Sequence, residues 1–123
     1  MKVILVEDDD TAAMLTEMYF SKSGFSDDVD RTYRIKAFEH MVNSTKYDVA
    51  IVDYHLQIYD APEFIKLIKT SKLNTKTPII VISHELSLEE EREIKALGIH
   101  YIRRPDDYMV FVELIAKVLR KMN

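Results

Sequence analysis

Residues 3 to 11 read VILVEDDDT, an apolar run that leads directly into four consecutive carboxylates, Glu7, Asp8, Asp9 and Asp10. A further carboxylate, Asp53, ends the stretch YDVAIVD, and Ser83 follows the apolar run IIVI at 79 to 82. Arg103, Arg104 and Pro105 follow a weaker apolar stretch that begins at His100. Acids beside a helix start often serve only as caps that suit the helix dipole, and Asp9 and Asp10 are expected to do so, with Asp10-Thr11 reading as the cap. Asp53 resists that explanation, because a lone charge at the end of a buried strand faces desolvation. Like charges gathered there raise one another's pKa values unless a cation joins them. Oxygen donors of this kind suit Mg²⁺, which is commonly held by one or two carboxylates beside a phosphate.

The elements that position these groups are legible from the runs themselves. VILV (3 to 6), VAIV (49 to 52) and IIVI (79 to 82) are continuous rather than alternating, as expected of parallel strands covered on both faces. Val29 to Tyr33 and His100 to Arg103 are weaker strand candidates. Helical patterns of about three turns separate them, so the order reads strand then helix, repeated five times. The last helix is the clearest, with Phe111, Leu114, Ile115, Val118, Leu119 and Met122 on one face. Gly24 and Gly98 follow helical segments where a left-handed cap residue is wanted. In an open α/β sheet, ligands bind beyond the carboxyl ends of the strands. Glu7, Asp8, Asp53, Ser83 and the arginine pair all lie at those ends.

Composition narrows the function classes. A chain of 123 residues, 47% hydrophobic and 31% charged, is expected to form one folded domain over 1 to 123. A formal net charge of -4 without a basic run gives no electrostatic footprint for direct nucleic-acid binding. The absence of cysteine removes disulfides, thiol nucleophiles and thiolate metal sites. No apolar stretch approaches a membrane span and the N-terminus is unlike a signal peptide, so no membrane partner and a cytoplasmic location are expected.

With VEDD after the first strand, a lone Asp53 after the third, Ser83 after the fourth and a basic residue before Pro105, the chain resembles a response-regulator receiver domain of two-component signalling over essentially its whole length. The resemblance implies a doubly wound, flavodoxin-like (βα)5 sandwich with a parallel sheet of order 2-1-3-4-5. It further implies that Asp53 accepts a phosphoryl group from a sensor histidine kinase or phosphotransfer protein. Mg²⁺ would lie among Glu7, Asp8, Asp53 and the backbone carbonyl of His55. Ser83 would bind the phosphoryl group and Tyr101 would be the aromatic switch, with His84 and Glu85 flanking the site. The family's bond before Pro105 is cis, so cis is expected here. A downstream protein partner, and a homodimer through the fourth and fifth helices, are the implied interactions.

This chain also departs from the pattern. The family's lysine is Arg104, its usual proline four residues after the phosphoacceptor is Gln57, its glycine is Ala61, and the phenylalanine common after Pro105 is Asp106. Arg104 is expected to be the inward cation that binds the phosphoryl group, with Arg103 as the alternative because the segment from Gly98 to Pro105 is about one residue short. Tyr101 reads equally as core packing. His55 and His84 read as exposed loop residues, with a paired-histidine metal site as the alternative. Two rival functions are a phosphorylation-independent protein-binding module, which Arg104 supports, and a Mg²⁺-dependent aspartyl phosphohydrolase. The latter often has a second acid where His55 stands.

Overall fold

In a computed structural model, residues 1 to 122 are described. Strands and helices alternate as β1 (Lys2–Val6), α1 (Asp10–Lys22), β2 (Asp28–Thr32), α2 (Ile35–Ser44), β3 (Val49–Asp53), α3 (Ala61–Thr70), β4 (Ile79–Ser83), α4 (Leu88–Ala96), β5 (His100–Arg103) and α5 (Tyr108–Met122). The sheet is parallel throughout, in the expected order β2-β1-β3-β4-β5. β2 is shifted as a whole, starting and ending one residue before its sequence expectation. Its DVDRT sequence lies on the sheet edge, where partial exposure leaves no continuous apolar run to mark its ends.

Alternation along each strand sorts the core into two layers. Val3, Leu5, Val49, Ile51, Ile80, Ile82 and Ile102 pack with Ala13 and Phe20 of α1 and Phe111, Ile115 and Leu119 of α5. Ile4, Val6, Ala50, Val52, Ile79 and Val81 pack on the other face with Phe38, Val42, Phe64, Ile65, Ile68 and Ile94 from α2, α3 and α4. Glu7 and Asp53 continue the first series, so the period of two aims both at the α1 and α5 side. Among the described residues, no helix is long and apolar enough to cross a membrane.

Both glycines stand where the left-handed region is required, with φ +76° at Gly24 and +73° at Gly98. After α4, the Gly98 N–H donates to Lys95 O at 3.0 Å and the Ile99 N–H to Ile94 O at 3.4 Å, which satisfies carbonyls the helix end would strand. Phe25 repeats the arrangement after α1, donating to Phe20 O at 2.9 Å while their rings meet at 4.8 Å. An added Cβ would meet nothing within 4 Å at either glycine, so the cost of alanine is backbone strain alone. Gly98→Ala is expected to lower stability by about 1 to 2 kcal/mol in urea unfolding. An unchanged midpoint would mean that this turn does not hold the left-handed conformation in solution.

Candidate functional site

Glu7 and Asp8 extend from β1, Asp53 ends β3 and Arg104 follows β5, so the carboxyl edge of the sheet gathers the cluster. One ligand oxygen each from Glu7, Asp8 and Asp53 lie within 4.8 Å of one another. They line a cleft of about 370 Å³ together with His84, Arg104 and Pro105. Asp9, Ala12, Asp106 and Tyr108 complete its wall. Of these, Ala12 and Tyr108 were not sequence candidates, and only the packing of α1 against α5 brings them there.

Each acid has a different neighbourhood. Glu7 is 1% exposed, and its Oε2 accepts the Asp9 N–H at 3.3 Å. Asp8 Oδ2 accepts the Gln57 N–H at 2.8 Å, a bond that a proline at this position could not donate. Asp9, rather than Asp10, is the N-cap of α1, with Oδ1 accepting from the Ala12 N–H at 2.9 Å. Asp10 instead lies in the first turn and pairs with Arg31 at 2.8 Å. Asp53 has its carboxyl pushed up to about 7, first by burial and then by the charge and hydrogen bonding of Glu7. Arg104 and a backbone bond from His55 oppose that rise.

Arg104, not Arg103, is the inward cation. Its Nη2 lies 3.1 Å from Glu7 Oε1, and its guanidinium sits 4.9 Å from the centre of the Phe111 ring. Strand alternation explains the choice: Ile102 faces α5, so Arg104 does as well, whereas Arg103 lies exposed and donates from Nε to His84 O at 3.2 Å. Pro105 corrects the sequence expectation. Every peptide bond among the described residues is trans, the bond before Pro105 included. Trans is the intrinsically favoured isomer. The Arg104 N–H extends the β4 and β5 pairing by donating to Ser83 O at 2.8 Å, so Arg104 faces the cleft without a reversal of the chain.

The remaining candidates stand behind or beside the cleft. Ser83 Oγ donates to Glu85 O at 3.0 Å and accepts the Glu85 N–H at 3.3 Å, a local turn that occupies the hydroxyl. Tyr101 is partly buried against the core, and its hydroxyl donates to Ser83 O at 3.4 Å. The core-packing reading of Tyr101 is thus met, and its hydroxyl also reaches the backbone at the end of β4. His55 is exposed and turned towards Glu90, with Nε2 3.8 Å from Oε2. His84 is exposed at the rim, while His55 is not among the residues lining this cleft. The cluster of metal-capable groups found among the described residues is therefore the acid trio rather than a histidine pair.

These three acids suit Mg²⁺ on chemical grounds, since the donors are all oxygen and the buried Glu7 Oε1 has no hydrogen-bond partner of its own. Comparison with known proteins agrees with the architecture. The chain is 28% identical to cell cycle response regulator CtrA of Brucella ovis and of Brucella anthropi, with 96% of this chain and 48% of each relative aligned. It therefore spans about half the length of the curated relatives it matches. Chemotaxis protein CheY4 of Vibrio cholerae superimposes with a TM-score of 0.82 at 21% identity, covering 95% of this chain and 97% of that one. The receiver domain of a Pseudomonas aeruginosa sensor histidine kinase, a structure with a magnesium ion coordinated in its active site cleft, superimposes with a TM-score of 0.78 at 19% identity. That match covers 98% of this chain and 95% of the other. The response regulator receiver domain model matches residues 3 to 121, and with the sheet order and the acid cleft this places the chain in the response-regulator receiver family.

Proposed function

We propose that this chain is a phosphoacceptor whose Asp53 takes a phosphoryl group from a histidine kinase or phosphotransfer protein with Mg²⁺ present, and thereby switches a protein-interaction surface. The observation that carries this reading is the placement of Asp53 in an open cleft beside Glu7 and Asp8, with Arg104 in contact with Glu7. Phosphoryl transfer asks the protein mainly for alignment and charge neutralisation. Glu7, Asp8, Asp53 and the His55 carbonyl would hold the ion. When bound, it would shield the acids and the entering phosphoryl oxygens from each other.

The protein's own groups supply the rest. Asp53 is the nucleophile, and burial beside Glu7 raises its pKa to about 7, so that its reactive carboxylate form is favoured as pH rises through that value. Arg104 offers a permanent cation, with planar donors suited to phosphoryl oxygens. Ser83 would have to leave its turn with Glu85 in order to donate to the phosphoryl group, and that movement would disturb the carbonyl that Tyr101 touches. The face carrying Tyr101, formed by α4, β5 and α5, is the surface we assign to the downstream partner or a homodimer. His55 faces Glu90 rather than Asp53, which supports a phosphoacceptor over turnover of an external substrate.

Intact mass after incubation with a small-molecule phosphodonor tests the proposal. A gain of one phosphoryl group is expected with Mg²⁺ present, with none after chelation and none in Asp53→Ala. Should the wild-type chain stay unlabelled by both small donor and kinase, the second reading would replace the first. In that reading the chain is a binding module whose cleft is neutralised internally, as the contact between Arg104 and Glu7 suggests.

A further inference from the structure

Arg104 and Glu7 form an unusual pair. Their side chains are only 9% and 2% exposed, and the approach of Nη2 to Oε1 at 3.1 Å brings opposite charges together where water cannot screen them. Yet the contact lacks hydrogen-bond geometry. Glu7 Oε1, Arg104 Nε and Arg104 Nη2 are all buried without a hydrogen-bond partner. Two desolvated ions that do not satisfy each other's donors and acceptors recover little of the cost of their burial, so the pair is poised to exchange. The other Glu7 oxygen is already engaged by the Asp9 N–H, which leaves Oε1 as the atom free for a new partner. Arg104 also has somewhere to stay, because the Phe111 ring beneath it is an attractive seat for a guanidinium without a carboxylate.

Building on the Mg²⁺ reading above, we propose that Arg104 is the resident counter-cation of Glu7 and yields that carboxylate to the incoming metal. Metal binding thereby releases the guanidinium for a phosphoryl oxygen on Asp53. Arg104 and the metal are then rivals for Glu7 before phosphorylation and allies around the phosphoryl group after it. A lone cation already resting in the acid cluster must weaken the attraction of the site for a second one. The resident cation at position 104 thus sets how much Mg²⁺ the site requires, in addition to neutralising charge.

Isothermal titration with Mg²⁺ at fixed pH and ionic strength, on the intact chain, tests the exchange. Arg104→Gln is expected to bind Mg²⁺ about tenfold more tightly than wild type, with Arg104→Lys closer to wild type because it retains the charge. A nuclear magnetic resonance readout separates exchange from a merely structural role. The Arg104 Nε–H signal of the wild-type protein should shift during the titration with the same midpoint as the heat. The proposal is overturned if Arg104→Gln binds Mg²⁺ no more tightly than wild type, or if the Arg104 signal is unmoved at saturation. Uptake of Mg²⁺ by none of the three proteins would instead remove the metal reading on which the proposal stands.

Discussion

Asp53→Asn is expected to make the metal-free protein more stable at pH 8, although it removes the residue on which the proposed function rests. The sign follows from linkage. An unfolded aspartate titrates near 3.9, whereas burial and the neighbouring Glu7 push Asp53 in the fold up to about 7. Between these values the folded chain retains a proton that the unfolded chain has released. Stability in the absence of metal should therefore fall as pH rises from about 4 to about 7 and level off above that, with the full penalty present at pH 8. Asparagine cannot ionise, so the variant escapes the penalty. The gain is on the order of 2 kcal/mol, or roughly 5 to 10 °C in Tm, after allowance for the part of the group that water still reaches. Mg²⁺ reverses the order at pH 8, because Asp53 is already ionised there and only the wild-type site offers the ion all three carboxylates. Melting curves of both proteins at pH 5 and pH 8, with chelator and with Mg²⁺, would decide the matter. Parallel pH profiles for wild type and Asp53→Asn in chelator would show that the charge crowding described above does not burden the fold.

A second large effect is expected far from the cleft, at Asn74. This fully buried side chain lies between α3 and β4 and makes four hydrogen bonds. Its Nδ2 donates to Val42 O at 2.6 Å and Thr45 O at 2.8 Å, which closes the end of α2. Its Oδ1 accepts the Tyr47 N–H at 2.8 Å and the Thr77 hydroxyl at 2.8 Å. Asn74→Ala removes all four and strands the Thr45 carbonyl and the Tyr47 N–H in a buried space. Since each stranded group carries its own desolvation cost, a loss of about 3 kcal/mol or more in urea unfolding is expected. Asn74→Asp should be no rescue, because a carboxylate would face two carbonyl oxygens. A loss below about 1 kcal/mol would mean that water enters and replaces the side chain. The protein that remains folded should still gain a phosphoryl group at Asp53, because Asn74 lies at the opposite end of the sheet.

Comparison of these two residues shows what was legible in the sequence. Asp53 is conspicuous because a charge terminates an apolar run, and that contrast is local. Asn74 reads as an ordinary loop residue in KLNTKTP, because the three segments it joins come together only in the fold. The strands at 3 to 6, 49 to 52 and 79 to 82 declared themselves through burial on both faces, while edge strand β2 slipped by one residue for want of it. The isomer before Pro105 was misread because the intrinsic difference between isomers is small and the surrounding packing decides it. Arg104 was the expected inward cation, with Arg103 as the alternative, and alternation from the inward Ile102 rather than a cis turn is what aims it. The turn between Ser83 and Glu85 had no comparable signal, since serine bonds to nearby backbone in many loops.

The central position of β1 has a consequence for the nascent chain. It precedes both of its partners, β2 and β3, and so is an apolar ribbon with at least one open edge until Val49–Asp53 has been made. Unpaired edges of this kind recruit other chains. The carboxylates that follow VILV, and the one that closes VAIVD, place charge where such stacking would begin, in the manner of gatekeeper residues. Acids that burden the finished fold when no metal is present thus protect it while it is still incomplete.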